Sequence, residues 1–139
     1  MRGVPGSGKS TWLTNNAPNA VVCSADKFHI NTAGMYAFDA TKVREAHDWC
    51  LRLAVYHLRN KYTEVAVDNT NLKVFEVAPY YRLGEAFGYE VEVIDLIVPL
   101  ALCETRNIHG VPPEKVRQMW AGREPLPGWW NVRTVVAGG

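Results

Sequence analysis

The sequence predicts an α/β fold: a mostly parallel sheet packed between helices in three αβα layers, its first strand truncated to a stub. Three observations predict it. Short β-branched apolar runs alternate with longer stretches that place apolar side chains every three or four residues, the pattern of strands joined by crossover helices. A glycine-rich segment, Gly3–Ser10, stands where a strand would pass into a helix, and only Met1 and Arg2 precede it. The 139 residues are 47% apolar and 21% charged, enough length for one domain, with the composition of a folded chain.

Each element has its own signal. Ala20–Cys23 is a short apolar run after Pro18-Asn19 and reads as a buried strand. Thr41 is a candidate N-cap for a long helix whose inner face carries Val43, Ala46, Cys50, Leu53, Ala54 and Leu58. Glu64–Val67 gives a second strand, ending at Asp68. A helix is predicted over Lys73–Phe87, with Val74, Val77, Ala78 and Tyr81 inward and Gly88 at the stop. Tyr89–Ile97 is a third strand. Two short helices follow, over Leu100–Asn107 and Pro113–Trp120, the second opened by proline. Val132–Val136 is a candidate last strand. Trp129 and Trp130 are adjacent and cannot share one side of a strand, so one of them is expected at the surface. His47 and His57, ten residues apart on the long helix, are not spaced as a metal pair and read as core-edge residues.

Bulk properties exclude several classes. A net charge of +1 excludes a strongly basic nucleic-acid-coating protein, though not a local basic cleft. The three cysteines, Cys23, Cys50 and Cys103, are odd in number and widely spaced. They predict neither a disulfide framework nor a zinc site, and fit a reducing cytoplasmic compartment. No apolar run approaches the ~20 residues that span a bilayer, so no membrane partner is expected. The sequence implies no protein partner.

The chemistry is concentrated in Gly3-Val4-Pro5-Gly6-Ser7-Gly8-Lys9-Ser10, which matches G-x-x-x-x-G-K-[ST] without a mismatch. Backbone amides of such a loop point at phosphate oxygens, and the helix that follows adds its positive N-terminus. Gly3, Pro5, Gly6, Ser7, Gly8, Lys9, Ser10 and Thr11 are thus the expected ATP-binding residues. Lys9 would reach the β- and γ-phosphates, and Ser10 would hold Mg2+. In a parallel sheet, ligands sit beyond the carboxyl ends of the strands. Ser24 and Asp26 follow one predicted strand and Asp68–Asn71 the next. Because such a loop ordinarily follows a buried central strand, several more apolar residues are expected upstream of Met1 in the native protein.

Four segments together, Gly3–Trp12 (GVPGSGKSTW), Ser24–Asp26, Val67–Leu72 (VDNTNL) and Arg106–Pro112 (RNIHGVP), resemble the P-loop polynucleotide kinases of the phage type and their AAA-like relatives. They occur in that family's order and span most of the chain. The resemblance implies a P-loop NTPase three-layer αβα sandwich, a single kinase domain over residues 1–139 and a lid around residues 100–122. It implies that Asp26 is the general base taking the acceptor's proton. Read from its position alone, Asp26 either orients a nucleophile or forms an Asx-turn or N-cap. Asp68 either binds Mg2+ through water or fixes the loop around Thr70 and Asn71. Asn69 and Asn71 read as turn-formers. Arg106 resembles the lid arginine that covers the transferring phosphate, with Asn107 and His109 shaping the lid; its other reading is a solvated helix face.

One departure matters. The family carries an arginine three residues after the catalytic aspartate, where it engages the acceptor's phosphate; here the residue is His29. His109 likewise stands near where a second basic residue is expected. Both weaken a nucleic-acid acceptor more than they weaken kinase chemistry. Lys27, Lys42, Arg44 and Lys73 are candidate phosphate contacts. Phe28, Tyr36 and Phe38 could stack on an acceptor base, but packing of their loop onto the core is the favoured reading. The expected function is transfer of the γ-phosphate of ATP, with Mg2+, to the 5′-hydroxyl of a polynucleotide end. A small-molecule kinase and a non-catalytic nucleotide-binding module are the alternatives.

Overall fold

A computed structural model describes residues 1–107 and 110–136. Its elements run α1 (Lys9–Asn16), β1 (Val21–Cys23), 3-10 turns at Ala25–His29 and Ala40–Lys42, α2 (Val43–Arg59) and β2 (Val65–Val67). They continue through α3 (Val74–Ala86), β3 (Val93–Ile97), α4 (Leu100–Thr105), α5 (Pro113–Ala121) and β4 (Val132–Val136). The predicted order of strands and helices is therefore observed, including the last strand. None of the described helices is long and apolar enough to cross a membrane.

The sheet is built from two parallel pairs, β1 with β2 and β3 with β4. The N-terminal stub joins them. Arg2 donates its amide to the Ile94 carbonyl at 2.8 Å, and its own carbonyl accepts from Leu96 at 2.8 Å. On the other side, the Met1 amino group reaches the Val67 carbonyl at 2.7 Å and Gly3 N–H the Thr70 carbonyl at 3.0 Å. Three residues thus hold the central column between β2 and β3. Behind the stub the column is empty: a slot of about 480 Å³ lies between the two half-sheets, bounded by Leu13 of α1, Val65 of β2, Val77 and Tyr81 of α3 and Ile94 of β3 among others.

That slot explains why the third strand begins at Val93 rather than Tyr89. Residues 89–92 border it: Tyr89 N–H bonds the Gly84 carbonyl at 2.9 Å, and the side-chain amide of Asn131 donates to the Val91 carbonyl at 3.0 Å. Buried charge fastens the stub in place. Arg2 bonds Asp95 at 3.3 Å and the carbonyls of Leu72 and Glu124, and Arg123 meets the same Asp95 carboxylate. An apolar-looking strand thereby carries a buried acid satisfied by two arginines.

The core lies in three clusters. Cys23, Ala46, Cys50 and Ala54 pack α2 against β1, and Val77, Tyr81, Val93 and Trp130 pack α3 against β3. Val4, Leu72, Val98, Cys103 and Val116 join the phosphate loop to α4 and α5. Trp130 is buried and stacks on Tyr81 at 4.7 Å, whereas Trp129 is exposed, as adjacency required. All three cysteines are buried and free.

Three expectations are corrected. The long helix is not capped by Thr41: Asp39 lies two residues earlier, and its carboxylate accepts both the Thr41 amide, at 2.9 Å, and the Thr41 hydroxyl, at 2.6 Å. That turn of 3-10 helix leads into α2 and leaves Val43 exposed instead of inward. His57 is buried between Tyr56 and Tyr62, but His47 is exposed.

Candidate functional site

The phosphate loop leaves the stub and turns into α1, whose N-cap is Gly8 with φ +94°. Lys9 folds back over the loop, its Nζ donating to the carbonyls of Gly3 at 3.0 Å and Val4 at 3.3 Å. Burial lowers the Lys9 pKa, while Asp68 and Asp26 oppose that shift. An ammonium held by two carbonyls and faced by two carboxylates is poised to exchange those contacts for phosphate oxygens. The Ser10 hydroxyl donates to Asp68 Oδ2 at 2.8 Å. A hydroxyl and a carboxylate oxygen so placed are the hard oxygen donors that Mg2+ takes, usually with waters completing the shell. The residues present therefore fit the ion.

The ends of β1 and β2 are tied together at the site. Asp68 N–H bonds the Cys23 carbonyl at 2.8 Å, and Asn69 Oδ1 accepts from the Ala25 amide at 2.9 Å. Asn69 is buried, and its amide nitrogen reaches Cys50 Sγ at 3.5 Å. It is thus the strap between two strand ends as well as a turn-former. Asn71, with φ +50°, donates to the Met1 carbonyl at 2.9 Å and steadies the stub. Asp26 sits on the 3-10 turn after β1, capped by Ser24, whose hydroxyl accepts from its amide at 3.3 Å. Its carboxylate is exposed and close enough to act on the charge of Lys9.

The segment around residues 100–122 packs on the loop through Cys103, which lies against Gly6. An ion pair, Arg117 to Glu104 at 3.3 Å, joins α5 to α4. Arg106 caps the C-terminal end of α4, is exposed, and acts together with Lys9 on the Cys103 thiol. Asn107 closes the loop between the helices, accepting from the Val111 amide at 3.2 Å. Pro112 and Pro113 open α5 as expected. His109 lies outside the described residues.

The acceptor side differs from expectation. Lys27 donates to the Val22 carbonyl at 2.9 Å and Lys73 to the Gly122 carbonyl at 2.7 Å, so two candidate phosphate contacts are engaged in holding the chain. His29 is buried beneath Phe28, Tyr36 and Phe38. Of those three aromatics only Phe28 packs inward, against Trp49 and the α2 cluster. Phe38 and Tyr36 are 57% and 37% exposed, and both rings lie on the buried His29 rather than on the α2 cluster.

Comparison with known proteins gives a family and a fold. The model of a family described as AAA domain matches residues 1–118. NEDD4-binding protein 2 of Homo sapiens is 38% identical over 128 residues, 86% of this chain, and the chain spans 7% of that relative's length. A sugar kinase from Janibacter sp. HTCC2649, crystallised without ligand, superposes with a TM-score of 0.62 over 97% of this chain and 82% of its own. At 20% identity that likeness shows the fold: a P-loop α/β sandwich, here with a shortened central column.

Proposed function

The chain belongs to the AAA domain family matched over residues 1–118, and from that membership we propose that it is an ATP-dependent phosphotransferase. Its preferred acceptor is the 5′-hydroxyl of a polynucleotide end. One observation carries the proposal: Lys9, the Ser10–Asp68 oxygen pair and Asp26 converge from three elements at the carboxyl end of the sheet. A nucleotide-binding module without chemistry has no use for a carboxylate on the neighbouring strand end facing the loop lysine.

The roles follow from placement. The loop amides and Lys9 bind the triphosphate and orient its terminal group. Ser10 and Asp68 would hold Mg2+, which when bound would supply charge neutralisation at the phosphates. Asp26 takes the proton of the acceptor hydroxyl, which requires an approach of about 2.6–3.2 Å. Arg106, at the hinge between α4 and the loop that follows, brings a planar cation over the transferring group. Residues 1–139 act as one kinase domain with residues 100–122 as its lid. The burial of His29 and the engagement of Lys27 and Lys73 favour a small hydroxyl acceptor as the second reading.

Transfer of label from γ-labelled ATP to a 5′-hydroxyl oligonucleotide tests the proposal. Lys9→Ala is expected to weaken ATP binding and abolish transfer. Asp26→Asn is expected to keep ATP binding and reduce transfer by about 100-fold or more. Near-normal turnover in Asp26→Asn would remove the general-base role.

A further inference from the structure

The segment between β1 and α2 is more ordered than a linker needs to be. After the 3-10 turn the chain doubles back in a small antiparallel loop: Ile30 bridges Tyr36, Asn31 N–H bonds the Met35 carbonyl at 2.9 Å, and Ala37 N–H bonds the His29 carbonyl at 2.7 Å. The Asn31 side chain fixes the turn by accepting from Ala33 and Met35, each at 3.0 Å. Beneath it, the buried His29 ring lies 4.9 Å from Phe38 and 6.1 Å from Tyr36. The loop is therefore braced from inside while its apolar side chains Ile30, Met35, Tyr36 and Phe38 are turned to water.

Exposing this much apolar surface has a cost unless something covers it. Its location says what does. Tyr36 lies within electrostatic reach of Asp26: burial and the Asp26 charge together raise its hydroxyl pKa. The patch is also tied to that carboxylate by the chain: Asp26 and His29 share one 3-10 turn, and Tyr36 and Phe38 lie on the His29 ring. Of the lysines nearby, Lys27 and Lys73 are bonded to backbone carbonyls, and Lys42 acts on the charge of Asp39. What this side of the site offers is two ring faces. A planar base stacks on aromatic side chains whatever its identity, and such stacking is little affected by salt.

We propose that Tyr36 and Phe38 seat the base adjoining the accepting 5′-hydroxyl, so that single-stranded polynucleotide ends are taken by stacking rather than by charge. The inference rests on the phosphotransfer reading above and names how that site selects its acceptor. His29, in the place of an acceptor-binding arginine, becomes the support under the two rings.

The test uses two single-stranded oligonucleotides identical except that the first nucleotide carries a base or is abasic. Binding is measured by fluorescence anisotropy with an unreactive ATP analogue present, and transfer by label from γ-labelled ATP. The unmodified protein is expected to bind the base-bearing end about tenfold or more tighter than the abasic one. Phe38→Ala and Tyr36→Leu are expected to weaken only the base-bearing end and so close that gap, with ATP affinity kept. Raising salt from 50 to 200 mM is expected to change affinity only a few-fold, against the far larger losses of binders that rely on many phosphate contacts. Equal binding of the two ends, or variants that weaken both alike, would overturn the seat. A free nucleoside competing as well as the oligonucleotide would overturn the polynucleotide assignment. If the binding gap is present but no acceptor is phosphorylated, the phosphotransfer reading falls and the seat stands. If transfer proceeds without a gap, the seat falls and the phosphotransfer reading stands.

Discussion

At Gly6 the loop turns with φ +81° directly against the backbone of α4, and a Cβ there would overlap the Cys103 carbonyl. The carbonyl is helical backbone of Cys103, the buried residue of α4, and has little room to step aside. Gly6→Ala therefore combines about 1 kcal/mol for a left-handed L-residue with a further 1–3 kcal/mol of backbone overlap. Gly34→Ala, at φ +79° with open space around it, carries only the first cost. Thermal melts of the two variants should differ accordingly, and Gly6→Ala alone should lose ATP affinity, by about tenfold or more. Equal melts would mean that α4 yields. At this scale the G-x-x-x-x-G-K-S pattern was legible because its residues are contiguous, whereas the hydrogen bond of Ser10 to Asp68, 58 positions away, was not read: Ser10 was assigned to Mg2+, and Asp68 was left between Mg2+ and the loop around Thr70 and Asn71. Asp95 and its two arginines were not legible: an acid within a β-branched run gives no sign of the partners that the tertiary fold brings to it.

Between elements, the strands and their parallel sense were readable, and their pairing and fastenings were not. Apolar runs placed β1, β2 and β3 within a few residues. The choice between Asp39 and Thr41 as a cap could not be made by residue type, since both favour that position and they stand two apart. Asn69 was read as a turn residue because asparagine after a strand ordinarily is one. Its side chain instead satisfies the buried Ala25 amide and so fixes the turn that presents Asp26. Asn69→Ala leaves that amide without a partner, a loss of about 1–3 kcal/mol. Urea unfolding should show it, and Asn69→Asp, which retains the acceptor oxygen, should recover part. If Asp26 acts as proposed, kcat should fall in Asn69→Ala while ATP affinity holds. An unchanged unfolding midpoint would show that the strap carries no weight.

For the whole molecule the dominant feature is the slot behind the stub. The two half-sheets are joined by hydrogen bonds of Met1, Arg2 and Gly3, and among the described residues no strand lies between the edges of β2 and β3 that face the slot. The Met1 amino group sits at the inner end, where burial, opposed by Asp68 and aided by Lys9, lowers its pKa from 8.0 to about 6. A cation whose folded pKa is depressed favours unfolding when protonated. Between pH 6 and 8 the unfolded chain binds the proton and the folded chain does not, so stability rises with pH across that window. The full difference is worth about 1–2 kcal/mol after relaxation, several degrees in Tm for a chain of this size. Extending the chain before Met1 by an alternating, strand-forming apolar tetrapeptide would replace the buried ammonium with an amide and supply the absent ladder. The extended chain should melt higher at every pH and lose the rise between pH 6 and 8, whereas a Gly-Ser extension of equal length should lose the rise without the gain. Parallel melting profiles for all three chains would show that the amino group is solvated and that the half-sheets need nothing between them.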